Sequence, residues 1–143
     1  MSFLLDTCIL SKSRKLSVSH YDKLRKWLTT YPESSYFISA VSIGEIQSGI
    51  SKLKREEHTK KMILENWLLS ELIPRFADRI LGIDQHTCLL WGRLMGEAQN
   101  KGRPLPVIDT LIAASALQHQ LVLVTDNIKD FQDTDVPLFN PLI

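Results

Sequence analysis

Residues 106–126 read PVIDTLIAASALQHQLVLVTD, and the order of elements in that stretch decides the fold. Pro106 suits the start of a helix, where its missing N–H costs nothing and its fixed φ is already helical. The helix it opens runs to about His119, with Asp109 in its first turn. Leu121-Val122-Leu123-Val124 follows, an unbroken apolar run of the kind shown by a parallel strand buried on both faces. Asp126 comes just past its end. A helix that returns the chain to a doubly buried strand is the repeating step of an α/β fold.

Working outward, the same alternation recurs. Phe3-Leu4-Leu5 is a short buried strand ending at Asp6. Residues from about His20 to Tyr31 predict a helix with Leu24, Trp27, Leu28 and Tyr31 on one face, stopped by Pro32. Tyr36-Phe37-Ile38 is rich in strand formers, and a helix from Ile43 puts Ile43, Ile46 and Ile50 on one side. A longer helix is expected from about Glu57 to Leu72, ending before Pro74. Arg79 to Ile83 predicts a short strand. Asp84 then caps a helix to about Asn100, with Cys88, Trp91 and Met95 facing inward. A last short strand is placed near Leu138-Phe139. One or two helices separate successive strands, which predicts an α/β/α sandwich with a mainly parallel central sheet covered by helices on both faces. No repeat or linker divides the 143 residues, so one domain over residues 1–143 is expected.

The formal net charge is +1, which argues against a chain basic throughout for nucleic acid. The charge is uneven, however. Residues 1–61 hold eleven Lys/Arg against six Asp/Glu, and residues 62–143 hold six against ten. A basic half can hold phosphates while an acidic half holds cations, and two solvated faces of a mixed surface are the plainer alternative. No apolar run approaches the roughly 18–20 residues that span a membrane. The opening stretch carries Asp6 within its apolar run and no basic leader, so a signal peptide is not expected. Cys8 and Cys88 lie far apart without metal-ligand spacing. Reduced thiols in a cytoplasmic protein are the expectation.

Four carboxylates fall where an α/β fold gathers its ligands, at the carboxyl ends of the strands. Asp6 ends the first strand and Asp126 follows the Leu121–Val124 strand. Glu45 and Asp109 sit early in helices that return to the sheet. Converging carboxylates cannot all stay ionised unaided, and a hard divalent cation is the natural counter-charge. Mg²⁺ or Mn²⁺ takes oxygen ligands and keeps several waters. Such an ion supports phosphodiester cleavage without a Ser, His or Cys nucleophile. His20, His58, His86 and His119 form no triad or zinc pattern. Each acid also has an ordinary structural reading. Ser42-Ile43-Gly44-Glu45 fits a capping box, Asp109 suits the helix dipole, and Asp6 and Asp126 suit turns or caps.

The chain resembles PIN-domain ribonucleases, especially the VapC and FitB-like toxins of type II toxin–antitoxin pairs, over nearly its whole length. The resemblance rests on four motifs in order: Phe3-Leu4-Leu5-Asp6-Thr7; Ser39 to Gly49 around Glu45; Asp109-Thr110-Leu111-Ile112-Ala113-Ala114; and Val124-Thr125-Asp126-Asn127 with Asp130-Phe131. Phe139-Asn140-Pro141 resembles the FitB-like ending. It implies that Asp6 and Asp109 are the principal ligands of Mg²⁺ or Mn²⁺, with Glu45 completing the set. Relatives place the fourth polar residue at the positions of Asp126, Asn127 or Asp130; Asp126 is preferred as fourth ligand. Thr7, Asn127 and Asp130 are expected around the site. Relatives commonly carry Asn at Cys8, Arg at Gln47 and Arg at Asp126, so the residues around the site differ here, and the last two changes are expected to bear on substrate or partner choice. A thiolate on Mg²⁺ is a poor match in hardness, so Cys8 is not read as a ligand.

The implied function is a toxin endoribonuclease that forms a homodimer and is held inactive by a cognate antitoxin, meeting DNA only through that antitoxin. The basic Lys52, Lys54 and Arg55 are expected to help bind RNA. Two alternatives stay open: an RNA-processing PIN nuclease without an antitoxin, and a weakly active PIN protein working in a DNA-bound repressor complex. An aspartate-nucleophile phosphatase needs a second acid two residues after Asp6, where Cys8 stands.

Overall fold

A computed structural model of the chain describes residues 1–15 and 19–143. Five strands, β1 (Phe3–Leu5), β2 (Tyr36–Ser39), β3 (Ile80–Leu81), β4 (Val122–Val124) and β5 (Leu138–Phe139), form one parallel sheet in the order β3-β2-β1-β4-β5. The register pairs Phe3 with both Tyr36 and Val122, Ile38 with Ile80, and Leu123 with Leu138. β1 is therefore the middle strand. The chain winds outward from it to β3, then crosses back to β4 and β5. Such a reversal leaves a crevice at the carboxyl ends of the strands flanking it.

Alternate side chains build two cores. Phe3, Leu5, Tyr36, Ile38 and Val124 face one layer, formed by α1 (Thr7–Ser13), α2 (Asp22–Leu28), α3 (Ala40–Ser51), α4 (His58–Asn66) and α5 (Ile73–Phe76). Leu4, Leu123 and Phe37 face the other, where α7 (Val107–Gln118) contributes Ile112, Ala113 and Ala116. Behind it, α6 (Gln85–Asn100) packs on α7. This is the expected sandwich, and the sheet is wholly parallel.

Several expected details change. The helix after His20 is a 3₁₀ turn at Ser19–Tyr21 followed by α2, which ends at Leu28 rather than Tyr31. Thr29 and Thr30 turn their hydroxyls back onto the Lys26 carbonyl and close it early. Pro74 does not stop the long helix. A π-helical stretch at Trp67–Leu72 precedes it, Ile73 N–H reaches back to Leu68 O, and the helix continues through Pro74 to Phe76. Widening the helix absorbs the donor that proline lacks. Asp84 does cap α6, accepting from Thr87 N at 3.0 Å. The inward face of α6 runs through Thr87, Trp91, Met95 and Ala98, but Cys88 is exposed. α7 ends at a left-handed residue, Gln120 (φ 56°), with Leu121 N–H bonded to Ala116 O at 2.9 Å. The turn delivers the chain directly into β4.

Candidate active site

α3 begins earlier than expected, and this changes the meaning of Glu45. Ser39 is the N-cap, its hydroxyl accepting from Val41 N at 3.1 Å. Ser42 is then inside the helix and Glu45 lies in the second turn, too far along to satisfy free N–H groups at the helix start. The capping-box reading of Ser42 and Glu45 is therefore wrong. Thr7 holds Glu45 instead: its hydroxyl lies 2.5 Å from Glu45 Oε1 and 2.8 Å from Ser42 Oγ. A hydroxyl has one proton, and the carboxylate can only accept, so Thr7 donates to Glu45.

Asp6 is both a cap and a member of the cleft. Oδ1 accepts the Thr7 N–H at 2.8 Å at the start of α1. Oδ2 accepts from the buried Thr125 hydroxyl at 2.8 Å, with Cys8 Sγ at 3.5 Å. Thr125 also accepts the Asn127 N–H at 3.0 Å, fixing the turn after β4. Burial raises the Asp6 pKa above the ordinary carboxylate range, against the lowering effect of these hydrogen bonds.

Asp109 enters from the third position of α7. Among the described residues no donor pairs with its carboxyl group. Its pKa is pushed up to about 6, first by burial and then by the charges of Asp6, Asp130 and Glu45. Asp126 differs. Its carboxylate pairs with Lys12 Nζ on α1. Burial opposes its ionisation, yet hydrogen bonds from Cys8 and Lys12, with the Lys12 charge, hold its pKa below the usual value. Burial and the charge of Asp6 push the Cys8 thiol up to about 12, so it is inert as a nucleophile near neutral pH.

Asp6, Thr7, Cys8, Glu45, Asp109, Asp126 and Asn127 line one open cleft of about 430 Å³ at the carboxyl edge of the sheet. The structure thus gathers all four expected acids, with Thr7 and Asn127 beside them. Asp130 is tied to the Asn127 side-chain amide behind the cleft. Lys52, Lys54 and Arg55 are exposed but lie beyond the far end of α3. At a helical rise of about 1.5 Å per residue, Lys52 sits roughly 10 Å along the axis from Glu45. Arg14 and Lys15 are nearer. With Thr7, Glu45, Leu64 and Trp67 they line an adjoining groove of about 270 Å³.

Sequence reasoning did not single out Lys12, Thr125, Arg14 or Lys15 for the site. Spacing on α1 carries a signal for them. Thr7, Ser11, Arg14 and Lys15 share one face, and Cys8 and Lys12, four apart, share another. No spacing reveals that Lys12 meets a residue 114 positions away.

The sequence profile of one family, the PIN domain, matches residues 3–137. Toxin FitB of Neisseria gonorrhoeae is 30% identical over 138 residues, 96% of each chain. Ribonuclease VapC2 of Rickettsia felis is 28% identical over 92% of this chain and 91% of its own. Among solved structures, FitAB bound to a DNA fragment superposes with a TM-score of 0.85 at 28% identity, covering 99% of this chain and 96% of that one. VapBC2 from Rickettsia felis, bound to a DNA fragment from its promoter, gives 0.72 at 26% identity over 98% of each.

Proposed function

The chain belongs to the PIN-domain family, and from that premise we propose that it is the endoribonuclease toxin of a toxin–antitoxin pair, cutting RNA phosphodiester bonds with Mg²⁺ or Mn²⁺. One observation carries the metal-dependent chemistry. Asp6, Glu45 and Asp109 arrive from three different elements at one cleft, and Asp109 is left without a donor among like charges. Similarity to Toxin FitB and Ribonuclease VapC2 supports the toxin and ribonuclease parts.

The donor set fits a hard cation. The cleft offers carboxylate oxygens, the ligands that a hard cation prefers. Among the described residues no three or more His, Cys, Asp or Glu side chains stand together closely enough to hold a metal ion by themselves. Mg²⁺ needs no such cluster, because it keeps several waters and takes one or two carboxylates together with substrate phosphate. Asp6, Glu45 and Asp109 would hold it, and it would supply Lewis-acid polarisation of the phosphate and activation of water. The chain's own part is orientation. Thr7 N–H and Thr125 fix the two Asp6 oxygens, and the Thr7 hydroxyl fixes Glu45 Oε1. Asp126 lines the cleft but is paired with Lys12, and Asp130 lies outside the lining, tied to Asn127, so Asp6, Glu45 and Asp109 are the free acids of the cleft.

An antitoxin segment lying in the groove between α1, α3 and α4 would reach the cleft, because Thr7 and Glu45 line both. DNA contact would come through that antitoxin. A homodimer has apolar surface available in Leu89 (55% exposed), Val107 (52%) and Ile108 (39%). Among the described residues no helix is long and apolar enough to cross a membrane.

The decisive experiment incubates the purified chain with RNA in Mg²⁺, in Mn²⁺ and in EDTA, beside Asp6→Asn and Asp109→Asn. Cleavage is expected only with metal and only in the unsubstituted protein. Near full cleavage by either folded variant would remove the acids from the chemistry.

A further inference from the structure

Among the described residues Lys12 is the cation that forms an ion pair with an acid of the cleft. It lies on α1 one turn after Cys8, and its Nζ meets Oδ2 of Asp126 from the loop after β4. Both side chains are mostly buried, 27% and 26% exposed, so the pair is partly shielded from solvent. Among the described residues Asp6, Glu45, Asp109 and Asp130 have no such cationic partner. Asp126 lines the cleft beside Asp6 and Asp109, but it is the acid of that lining with a cation on its carboxylate. A neutralised pair adds little to the field that a bound cation feels, whereas the uncompensated acids add fully.

We propose that Lys12 is a positioning residue: by pairing with Asp126 it withdraws that carboxylate from the metal-binding set and limits how tightly the cleft holds a divalent cation. The idea rests on the reading of the cleft as a metal site. Its physical sense lies in the substrate. RNA phosphate is an anion, and each uncompensated carboxylate in the cleft repels it. Three acids that attract a cation, beside a fourth held by its own counter-ion, admit metal and phosphate together better than four free acids do.

Mn²⁺ binding to the metal-free full-length chain, read by loss of the free-ion electron paramagnetic resonance signal without RNA, tests this. Lys12→Met frees the Asp126 charge and should tighten Mn²⁺ binding about three- to tenfold, less at high salt. Lys12→Arg keeps the charge and should bind as the unsubstituted protein does. The double variant Lys12→Met/Asp126→Asn removes both charges and no ligand, so its affinity should return to within about twofold of the starting value. In cleavage assays Lys12→Met should raise KM for RNA more than it lowers kcat. A double variant about tenfold weaker than the unsubstituted chain would make Asp126 a ligand and overturn the proposal. So would unchanged affinity in Lys12→Met. If Lys12→Met fails to fold, the double variant decides alone. No Mn²⁺ binding by the unsubstituted protein is a separate outcome: it would sink the metal-site reading and take this inference with it.

Discussion

At the scale of single residues, Asp109 is the most exposed to test. Its pKa in the fold, about 6, lies above the ordinary aspartate value of 3.8. The folded protein therefore binds more protons than the unfolded chain between those values, and metal-free stability should fall as pH rises from about 4 through 6. Asp109→Asn removes the group and should flatten that slope. At pH 7 without metal it should raise Tm by a few degrees, since after solvent screening on the order of 1 kcal/mol of burial cost and like-charge repulsion is relieved. Thermal melts of both proteins at pH 4 and pH 7 check it; equal slopes would mean that neither burial nor neighbouring charge disfavours the Asp109 carboxylate. Glu45→Gln asks a different question. Glutamine keeps an oxygen for the Thr7 hydroxyl, so Tm should change little, while cleavage should drop at least about a hundredfold if the charge is what matters. Unchanged cleavage would reduce Glu45 to a hydrogen-bond acceptor. Asp6, Glu45 and Asp109 were legible in the sequence because strand ends and helix starts share one edge of a parallel sheet. Their holders were not. Thr125 grips Asp6 across 119 positions, and no local pattern encodes such a pair.

At the scale of elements, the strands read true because apolar runs flanked by turns leave few alternatives. Helix boundaries were less legible where two local signals competed. Ser39 and Ser42 both suit an N-cap, and the earlier one won because Ser39 ends β2 in extended conformation, as an N-cap requires. Pro74 reads as a stop if the helix is α throughout, and the π-helical stretch at Trp67–Leu72 removes that conflict. The turn from α7 to β4 makes a prediction of its own. Gln120 occupies a left-handed position that glycine adopts without strain. Gln120→Gly should stabilise the protein by about 0.5–1 kcal/mol, seen as a higher urea midpoint. A lower midpoint would mean that the glutamine side chain contributes more than its backbone costs. The basic end of α3 is tested by Lys52→Gln/Lys54→Gln/Arg55→Gln. If these cations meet RNA phosphates, binding should weaken and its slope against log salt should flatten by up to about 2–3 units. An unchanged slope would assign RNA binding to other cations, with Arg14 and Lys15 next to be examined.

At the scale of the whole molecule, the two cores divide the labour. Trp27 packs against Phe3, Tyr36 and Phe139 at ring-centroid distances of 5.3 Å or less, and so covers the edge of the core while half-buried itself. Leu68 is buried, whereas Met62, Ile63 and Leu69 remain more than half exposed on the helix that borders the groove. The apolar residues of the α2 and α4 regions, alike in sequence, thus separate into core and surface only once the sheet is in place. Hydrogen exchange on the chain, free and bound to a cognate antitoxin, should show protection along α1 and α4 together with the β1–α1 junction at Asp6. Inhibition with protection confined to α6 would place the antitoxin elsewhere.

The position of β1 has a further consequence, for synthesis. Of the five strands the first to be made, β1, is the middle strand of the sheet, and one of its two neighbours, β4, is made only at residues 122–124. Until then β1 has an open edge, the Thr125 hydroxyl that fixes Asp6 does not exist, and the crevice has one wall. Pairing so distant in sequence closes late and slowly. A nascent chain therefore carries Asp6, Glu45 and Asp109 past the ribosome without an assembled cleft, and a chain broken off before residue 122 never acquires one. On the ribonuclease reading proposed above, RNA cleavage would wait until β4 has been made and has closed the second wall.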